Sequence, residues 1–117
     1  MQTYKDLLVW QKSIELTVEL YKVTKLLPQE EKFGLISQMR RCCVSIPSNI
    51  AEGYARRGKK ENANFINIAY GSAVELETQI IISKKLEFLN ESSWQKIDTI
   101  LIEVLKLLYN YRKYLQQ

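Results

Sequence analysis

The fold of this chain is decided by residues 40–53, which read Arg40-Arg41-Cys42-Cys43-Val44-Ser45-Ile46-Pro47-Ser48-Asn49-Ile50-Ala51-Glu52-Gly53. Apolar or small residues recur here at alternating steps of three and four, namely Ile36, Met39, Cys43, Ile46, Ile50 and Gly53. That spacing is typical of one side of a helix that packs against other helices. Pro47 lies inside the pattern, where it removes a backbone donor and crowds the preceding turn. We therefore predict a helix that continues through Pro47 with a kink, with Ser48 and Asn49 able to satisfy the freed backbone groups.

Helical patterns also flank this stretch. The predicted helices cover residues 7–27, 31–54 and 60–85, and a capping box at Ser92-Ser93-Trp94-Gln95 opens a fourth that runs to about residue 115. The heptad of the fourth helix is unbroken and comprises Trp94, Ile97, Leu101, Val104, Leu108, Tyr111 and Leu115. Helices joined by short links pack as antiparallel neighbours. The chain is therefore predicted to be all-α, one domain over residues 1–117 folded as an antiparallel up-down-up-down four-helix bundle.

Glycine has two predicted roles in these helices. Gly53 or Gly58 can supply the left-handed residue that ends the second helix. The middle of the third helix is a patch of small residues, namely Ala69, Gly71, Ser72 and Ala73. A glycine inside a helix costs about 1 kcal/mol relative to alanine, so we expect another backbone to approach this patch closely.

The composition argues against catalysis. The chain has 117 residues, a net charge of +4 and no histidine. Histidine is the commonest general base and the commonest metal ligand. The sequence also lacks the spacings of phosphate loops, dinucleotide sites, nucleophile elbows and metal sites. We therefore predict that the protein is not an enzyme and has no catalytic residues, no metal site, no cofactor and no small-molecule substrate.

Cys42 and Cys43 are adjacent on the second predicted helix. Consecutive Cα atoms lie about 3.8 Å apart, below the usual disulfide span of about 4.4–6.8 Å. We predict two reduced thiols, with Cys43 in the core and Cys42 towards a neighbour.

The sequence carries no sign of a membrane or export route. The amino end, Met1 to Asp6, lacks the charged-then-apolar pattern of a signal peptide. No apolar run approaches the length of about 20 residues that spans a bilayer. A cytoplasmic protein without a membrane partner is the expectation.

The first and fourth helices each carry two apolar stripes. On the first helix they are Leu7, Trp10, Ile14 and Tyr21, and Val9, Leu16, Leu20, Val23 and Leu27. On the fourth, Ile100, Leu107 and Tyr114 form a second stripe beside the heptad. A helix of a lone bundle needs one buried stripe, so the surplus predicts self-association. The alternative is a wide core face with a few surface apolar residues.

Basic residues cluster between the second and third helices. Arg56, Arg57, Lys59 and Lys60 place four cations within five residues. They are the predicted nucleic-acid-binding residues, because such cations neutralise phosphates, and Tyr54 could offer a stacking face. The alternative is a solvated loop that assists solubility. In a cyclic oligomer the repeated clusters would form a strong local field.

A second charged set lies further up the same helices. If the second and third helices are antiparallel, Arg41 lies level with Leu76. We predict a structural ion pair between Arg40 or Arg41 and Glu75 or Glu77, either within the chain or across a subunit boundary. The alternative is that both arginines contact RNA.

Four stretches taken together resemble a known family. They are Tyr4-Lys5-Asp6-Leu7 with Val9-Trp10-Gln11-Lys12-Ser13, Gly34-Leu35 with Ser37-Gln38 and Arg40-Arg41, residues 45–53, and Gly71-Ser72 with Glu75-Leu76-Glu77-Thr78. The combined pattern covers nearly the whole chain and is similar to the four-helix-bundle proteins encoded in intervening sequences of bacterial 23S ribosomal RNA genes. It is also similar to the accessory proteins of diversity-generating retroelements.

This resemblance implies a bacterial, cytoplasmic homopentamer of four-helix bundles. The retroelement proteins associate with RNA and a reverse transcriptase, and RNA binding is the usual suggestion for the ribosomal-insert family. The third helix of that family usually ends at a Leu-Gly pair, whereas Leu86 is followed here by Glu87. We therefore predict a non-enzymatic homo-oligomer that binds structured RNA or a ribonucleoprotein. The alternative is a protein–protein scaffold without nucleic-acid contact.

Overall fold

The computed structural model describes residues 3–117, so Met1 and Gln2, the start of the segment inspected for a signal peptide, lie outside the described residues. Four helices make up most of the chain, namely α1 (Leu8–Thr24), α2 (Leu35–Tyr54), α3 (Lys59–Lys85) and α4 (Gln95–Leu115). Short 3-10 turns precede α1, α2 and α4, at Tyr4–Asp6, Gln29–Glu31 and Glu91–Trp94. No strand occurs between residues 3 and 117. The prediction of an all-α chain with four helices is confirmed.

Each helix packs mainly against two others. The neighbours of α1 are α2 and α4, and the neighbours of α3 are also α2 and α4. Side-chain bonds join late positions of one helix to early positions of the next, as Lys84 Nζ and Asp98 Oδ2 do at 2.6 Å. At the other end of the same helix pair, Asn62 Nδ2 donates to the Tyr111 hydroxyl at 3.1 Å. None of the helices described between residues 3 and 117 is long and apolar enough to cross a membrane.

The predicted seams of α2 and α4 form the core. On α2 the buried residues of the seam are Ile36, Met39, Cys43, Ile46, Ile50 and Gly53. The heptad of α4 is also buried, from Trp94 through to Leu115, except that Tyr111 is half-buried. On α1 the stripe that includes Leu16 and Leu20 faces the core, with both side chains fully buried. Periodicity therefore identified the faces that hold the bundle together.

Helix α2 continues through Pro47, as predicted. In a regular helix each N–H bonds the carbonyl four residues back, so Pro47 leaves the Cys43 carbonyl without its usual donor. The Asn49 side-chain amide donates to the Ser45 carbonyl at 2.8 Å and supports the turn before the proline. Ser48 is exposed and makes no side-chain hydrogen bond among the residues described. Asn49 therefore bonds a carbonyl other than the one that Pro47 frees, and the kink stays a prediction.

The predicted glycine stop of α2 is wrong. Within residues 3–117 no glycine has a positive φ, and Ala55 ends the helix with right-handed backbone angles. Gly53 lies in the last turn of α2, where a Cβ would meet Asn62 Oδ1 at 2.6 Å and Phe65 Cβ at 2.9 Å. Gly58 is extended and caps the start of α3. Close helix packing, and not a left-handed turn, explains Gly53.

The predicted capping box before α4 is also displaced. Asn90 caps the 3-10 turn Glu91–Trp94, and its Oδ1 accepts from the Ser93 amide at 3.2 Å. The same oxygen accepts from the Ser92 and Ser93 hydroxyls at 2.7 and 2.9 Å. The α-helix begins only at Gln95. One asparagine side chain therefore organises the entry to α4.

Helix α3 ends on a residue that is unfavourable for its conformation. Glu87 follows the cap residue Leu86 and has a φ of 58°, the only positive φ of a non-glycine residue between positions 3 and 117. The left-handed region costs an L-residue about 1–2 kcal/mol, and glycine is usual at this position of a helix end. Glu87 thus carries backbone strain at a position where glycine usually ends a helix.

Replacing Glu87 with glycine is expected to stabilise the protein by about 0.5–1 kcal/mol, because relief of the left-handed strain exceeds the entropy cost of glycine. Urea unfolding of both proteins measures the change. Glu77, exposed in the interior of α3, is the matched control, since Glu77→Gly should destabilise by about 1 kcal/mol. A loss of stability in Glu87→Gly would contradict the strain.

Candidate nucleic-acid interface

The predicted RNA-binding residues lie on and beside the link between α2 and α3. Arg56, Arg57, Lys59 and Lys60 are all exposed. The Arg56 guanidinium bonds Glu52 at 3.2 Å and lies 4.8 Å from the centre of the Phe65 ring. An exposed pair of this kind contributes little to stability. The four side chains therefore present their charge to solvent at one end of the bundle.

The last turns of α4 lie against this link. Lys59 Nζ sits 4.6 Å from the centre of the Tyr114 ring. Arg112 Nη1 donates to Asn67 Oδ1 at 3.3 Å. The bond between Asn62 and Tyr111 joins the same two helices. We call residues 52–61 together with residues 109–117 the basic end.

The basic end holds the whole net charge of the chain. Six of the 17 basic residues and two of the 13 acidic residues lie in it, which leaves 11 of each elsewhere. The rest of the molecule is therefore neutral overall, while this end carries +4. Because a concentrated charge attracts counter-ions more strongly than the same charge spread over the surface, the basic end is the part of the chain best suited to phosphate.

Sequence reasoning missed the contribution of α4 to this surface. Arg112 and Lys113 add two cations, and Tyr109 and Tyr114 are about half exposed beside them. Residues 109–114 read Tyr-Asn-Tyr-Arg-Lys-Tyr, a basic and aromatic run that was visible in the sequence. In an up-down bundle the end of the fourth helix lies at the same end as the link between the second and third helices. Tyr54 is half-buried against the core and offers only a partial face.

Arg40 turns towards α1 and not towards α3. Its Nε donates to Thr24 Oγ1 at 3.0 Å, and its guanidinium stacks 4.4 Å from the centre of the Tyr21 ring. Among residues 3–117, no ion pair within 4.0 Å joins Arg40 or Arg41 to Glu75 or Glu77. The pair across a subunit boundary stays a prediction.

Arg41 and Glu75 nevertheless share one groove. An open groove of about 490 Å³ between α2 and α3 is lined by Gln38, Arg41, Cys42, Ser45, Ser72 and Glu75. The Ser45 and Ser72 hydroxyls lie 2.9 Å apart at its floor.

Both cysteines are buried free thiols, as predicted. Cys42 Sγ donates to the Ser72 carbonyl of α3 at 2.8 Å. Burial, followed by the nearby Glu75 carboxylate, raises the pKa of Cys42 to about 12. Burial also raises the pKa of Cys43 to about 11, with the Thr17 hydroxyl opposing the shift. Neither thiol is a candidate nucleophile, because the reactive form is the thiolate.

In the native protein at pH 8, both thiols are expected to react with Ellman's reagent at least about 100-fold more slowly than in urea, because burial suppresses the thiolate. Unfolded thiols ionise near pH 9, whereas the folded thiols keep their protons until about pH 11. Unfolding therefore releases protons above pH 9, so this contribution to stability falls as the pH rises from 9 to 11. The variant Cys42→Ala/Cys43→Ala should lack that part of the decline. Rapid reaction of a native thiol would contradict the assignment.

Apolar side chains remain exposed on all four helices, with Val44 on α2. Those on α1 are Leu8, Ile14, Val18 and Tyr21, those on α3 are Ile68, Val74, Ile81 and Ile82, and those on α4 are Ile102, Tyr109 and Tyr114. The second stripe predicted on α4 is mixed, since Ile100 is buried and Tyr114 is exposed. The exposed apolar residues of α3 were not predicted, although the patch of small residues that includes Gly71 was expected to meet another backbone. A Cβ at Gly71 would meet nothing within 4 Å.

Fold and charge together define a class of protein, the small all-helical bundle with one basic end and exposed apolar residues on its outer faces. The family model of the 23S rRNA-intervening sequence protein matches residues 5–110, and the chain belongs to this family. The resemblance that the sequence motifs indicated is thereby confirmed.

A solved structure supports the same fold. The chain is similar to a protein of unknown function from the S23 ribosomal protein family of Bacteroides thetaiotaomicron VPI-5482, whose crystal structure has a resolution of 1.70 Å. The two are 29% identical with a TM-score of 0.82, and the match covers 90% of this chain and 95% of the other. Among curated proteins, none matches the sequence significantly.

Proposed function

We propose that this chain is a non-enzymatic, cytoplasmic RNA-binding protein. Five identical four-helix bundles assemble into a ring, the homopentamer. The RNA is a structured one or part of a ribonucleoprotein. The basic end binds its phosphates, and the apolar outer faces join the subunits. Each bundle is an up-down-up-down arrangement with α2 kinked at Pro47.

The observation that carries the RNA proposal is the placement of charge. All of the net +4 lies in the basic end, where only Glu52 and Glu61 oppose six cations. Phosphate contacts by lysine and arginine supply most of the affinity of sequence-independent nucleic-acid binding. Membership of a family named for an intervening sequence of 23S rRNA is consistent with an RNA partner.

The assembly proposal depends on the exposed apolar surface. Leu8 and Val18 on α1 and Ile68 on α3 each leave at least 50% of the side chain exposed. Burial of apolar area contributes about 25 cal/mol per Å², so a second copy that covers these helices gains stability. A Cβ at Gly71 would meet no atom of its own chain within 4 Å, so the absence of a side chain there favours close approach by a neighbouring subunit. A ring would also bring several basic ends together.

A titration with salt tests RNA binding. A fluorescein-labelled RNA hairpin is bound to the purified protein and its anisotropy is followed between 50 and 200 mM salt. Six phosphate contacts at a slope of about 0.7 each predict a loss of affinity of about 300-fold over this range. A salt-independent affinity, or no binding at 50 mM salt, would contradict the proposal.

Light scattering tests the assembly. One chain has a mass of 13.8 kDa, so the pentamer is expected at about 69 kDa. A mass of 13.8 kDa at micromolar concentration would contradict the proposed ring. The variant Ile68→Glu/Ile81→Glu places charges on the outward face of α3 and should lower the mass without loss of helicity.

The second candidate function is a protein-binding scaffold. Phe33 is 91% exposed in the link between α1 and α2, at the end opposite the basic end, and Leu26 beside this link is 63% exposed. Exposed apolar residues of this kind are suited to a protein partner. Failure of RNA binding in the salt titration, with assembly intact, would favour this function.

A further inference from the structure

A cleft between α3 and α4 borders the basic end. It encloses about 270 Å³ and is lined by Tyr70, Leu105, Lys106, Tyr109 and Asn110. Drug-sized ligands occupy pockets of about 300–1,000 Å³, so this cleft suits a smaller flat group. No acidic residue is among its lining residues.

The two tyrosine rings of the cleft are held by one arginine. The Arg112 guanidinium lies 4.5 Å from the centre of the Tyr70 ring and 5.6 Å from that of Tyr109. Asn67 accepts a hydrogen bond from the same guanidinium at 3.3 Å, which fixes its plane. On α4, Arg112 lies one turn after Tyr109, whereas Leu105 and Lys106 lie one turn before it. Arg112 is not among the residues that line the cleft, although its guanidinium contacts both rings.

We propose that this cleft binds an unpaired nucleobase by stacking against the tyrosine rings that line it, so that the RNA of the proposed function is recognised through a single-stranded segment. The inference rests on that proposed function. Bases of unpaired segments stack on aromatic side chains, whereas bases of an A-form duplex are already stacked and paired. Arg112 is a positioning residue for the rings.

The other lining residues complete a nucleotide site. Asn110 carries an amide that can both donate to and accept from the edge of a base. Lys106 is exposed and can contact the adjoining phosphate. Tyr109 keeps 51% of its side chain exposed, so the face that a base would cover is available. Lys113, one turn after Tyr109 on α4, adds a further cation beyond the cleft.

A purely structural role for the tyrosines is the competing explanation. In that case Tyr70 and Tyr109 serve only to hold Arg112 and the end of α4, and their loss would lower stability alone. Stacking instead adds a non-ionic contribution to RNA affinity, which leaves the dependence on salt unchanged. The slope of affinity against salt therefore separates the two explanations.

The test measures the binding of a fluorescein-labelled, unstructured 12-nucleotide RNA and of a blunt 12-base-pair RNA duplex to the full chain. The variant Tyr70→Leu/Tyr109→Leu is expected to bind the single strand about 5- to 150-fold more weakly, the effect of losing one stacked base. Its salt slope and its duplex affinity should stay as in the wild type. The variant Tyr70→Phe/Tyr109→Phe keeps the rings and should bind like the wild type.

The control is Tyr21→Leu, because Tyr21 also stacks on an arginine, Arg40 at 4.4 Å, but lies at the opposite end of the bundle. If the leucine pair unfolds, Arg112→Lys is the second variant, since it keeps the charge but loses the planar group that holds the rings. It should weaken single-strand binding several-fold without changing the salt slope.

Three results would overturn the inference. They are equal binding of duplex and single strand, a leucine pair no weaker than Tyr21→Leu, and an unaffected Arg112→Lys. In each of these results the salt-dependent binding can persist, so the result would contradict the stacking site without contradicting the proposed function. Absence of binding to every RNA, by contrast, removes the proposed function itself.

Discussion

Replacing Arg56, Arg57, Lys59 and Lys60 together with alanine is expected to lower RNA affinity about 600-fold at 0.1 M salt. Each phosphate contact contributes about 0.7 to the slope of log affinity against log salt, so four contacts contribute about 2.8. Over the tenfold range from 0.1 to 1 M salt, a slope of about 2.8 corresponds to a change in affinity of about 600-fold. The slope of log affinity against log salt should fall by the same 2.8. Anisotropy titrations at several salt concentrations measure both quantities.

The matched control removes four cations from the opposite end, at Lys22, Lys25, Lys32 and Lys85, all of which are exposed. Both variants have the same net charge, so a difference between them reports position and not total charge. Thermal melts check folding, because Arg56 and Lys59 each stack on a ring and contribute about 0.5–1 kcal/mol. Equal losses of affinity in the two variants would contradict the basic end as the binding surface.

Replacing Gly53 with alanine is expected to destabilise the protein by up to about 2 kcal/mol. The new Cβ would lie 2.6 Å from Asn62 Oδ1, 2.9 Å from Phe65 Cβ and 3.1 Å from the Asn62 carbonyl oxygen. Overpacking of this kind costs about 1–3 kcal/mol, and the better helix propensity of alanine returns only about 1 kcal/mol. Urea unfolding measures the difference.

Gly71→Ala is the matched control, because a Cβ at that position meets nothing within 4 Å in its own chain. It should stabilise the chain by about 0.5–1 kcal/mol. If a second copy packs closely on α3 at Gly71, the same variant should also lower the mass of the assembly. Changes of opposite sign at the two glycines are the expected result, and destabilisation of the same size in both would contradict the packing described at Gly53.

The helices and their buried faces could be predicted because buried residues recur with the period of the helix. The α2 seam from Ile36 to Gly53 and the heptad of α4 place apolar residues at helical spacing, and these residues form the core. Helix propensity and periodicity act over several turns, so a single unusual residue such as Pro47 does not remove the signal.

The ends of the helices were harder to predict because they depend on single hydrogen bonds and backbone angles. Asn90 takes the cap that Ser92 was expected to supply, since its side chain reaches the Ser93 amide and two hydroxyls at once. Glu87 occupies a left-handed position for which its side chain gives no sequence signal.

The candidate site was only partly predictable for a related reason. A run of cations such as Arg56 to Lys60 is visible in the sequence, but the contact of Lys59 with the Tyr114 ring of α4 is a tertiary contact. The partners of Arg40 were unpredictable for the same reason. The prediction used only the register of α2 and α3, whereas Arg40 contacts Thr24 and the Tyr21 ring on α1. Exposed apolar faces such as that of α3 likewise emerge only after the core has been assigned.

The most direct test of RNA binding by the basic end is photo-crosslinking of the purified protein to a bound RNA hairpin, followed by mass spectrometry of the peptide adducts. The account predicts adducts on peptides that contain residues 52–61 and 109–117, together with Tyr70. Adducts confined to the opposite end of the bundle, around Phe33 and Glu87, would contradict it.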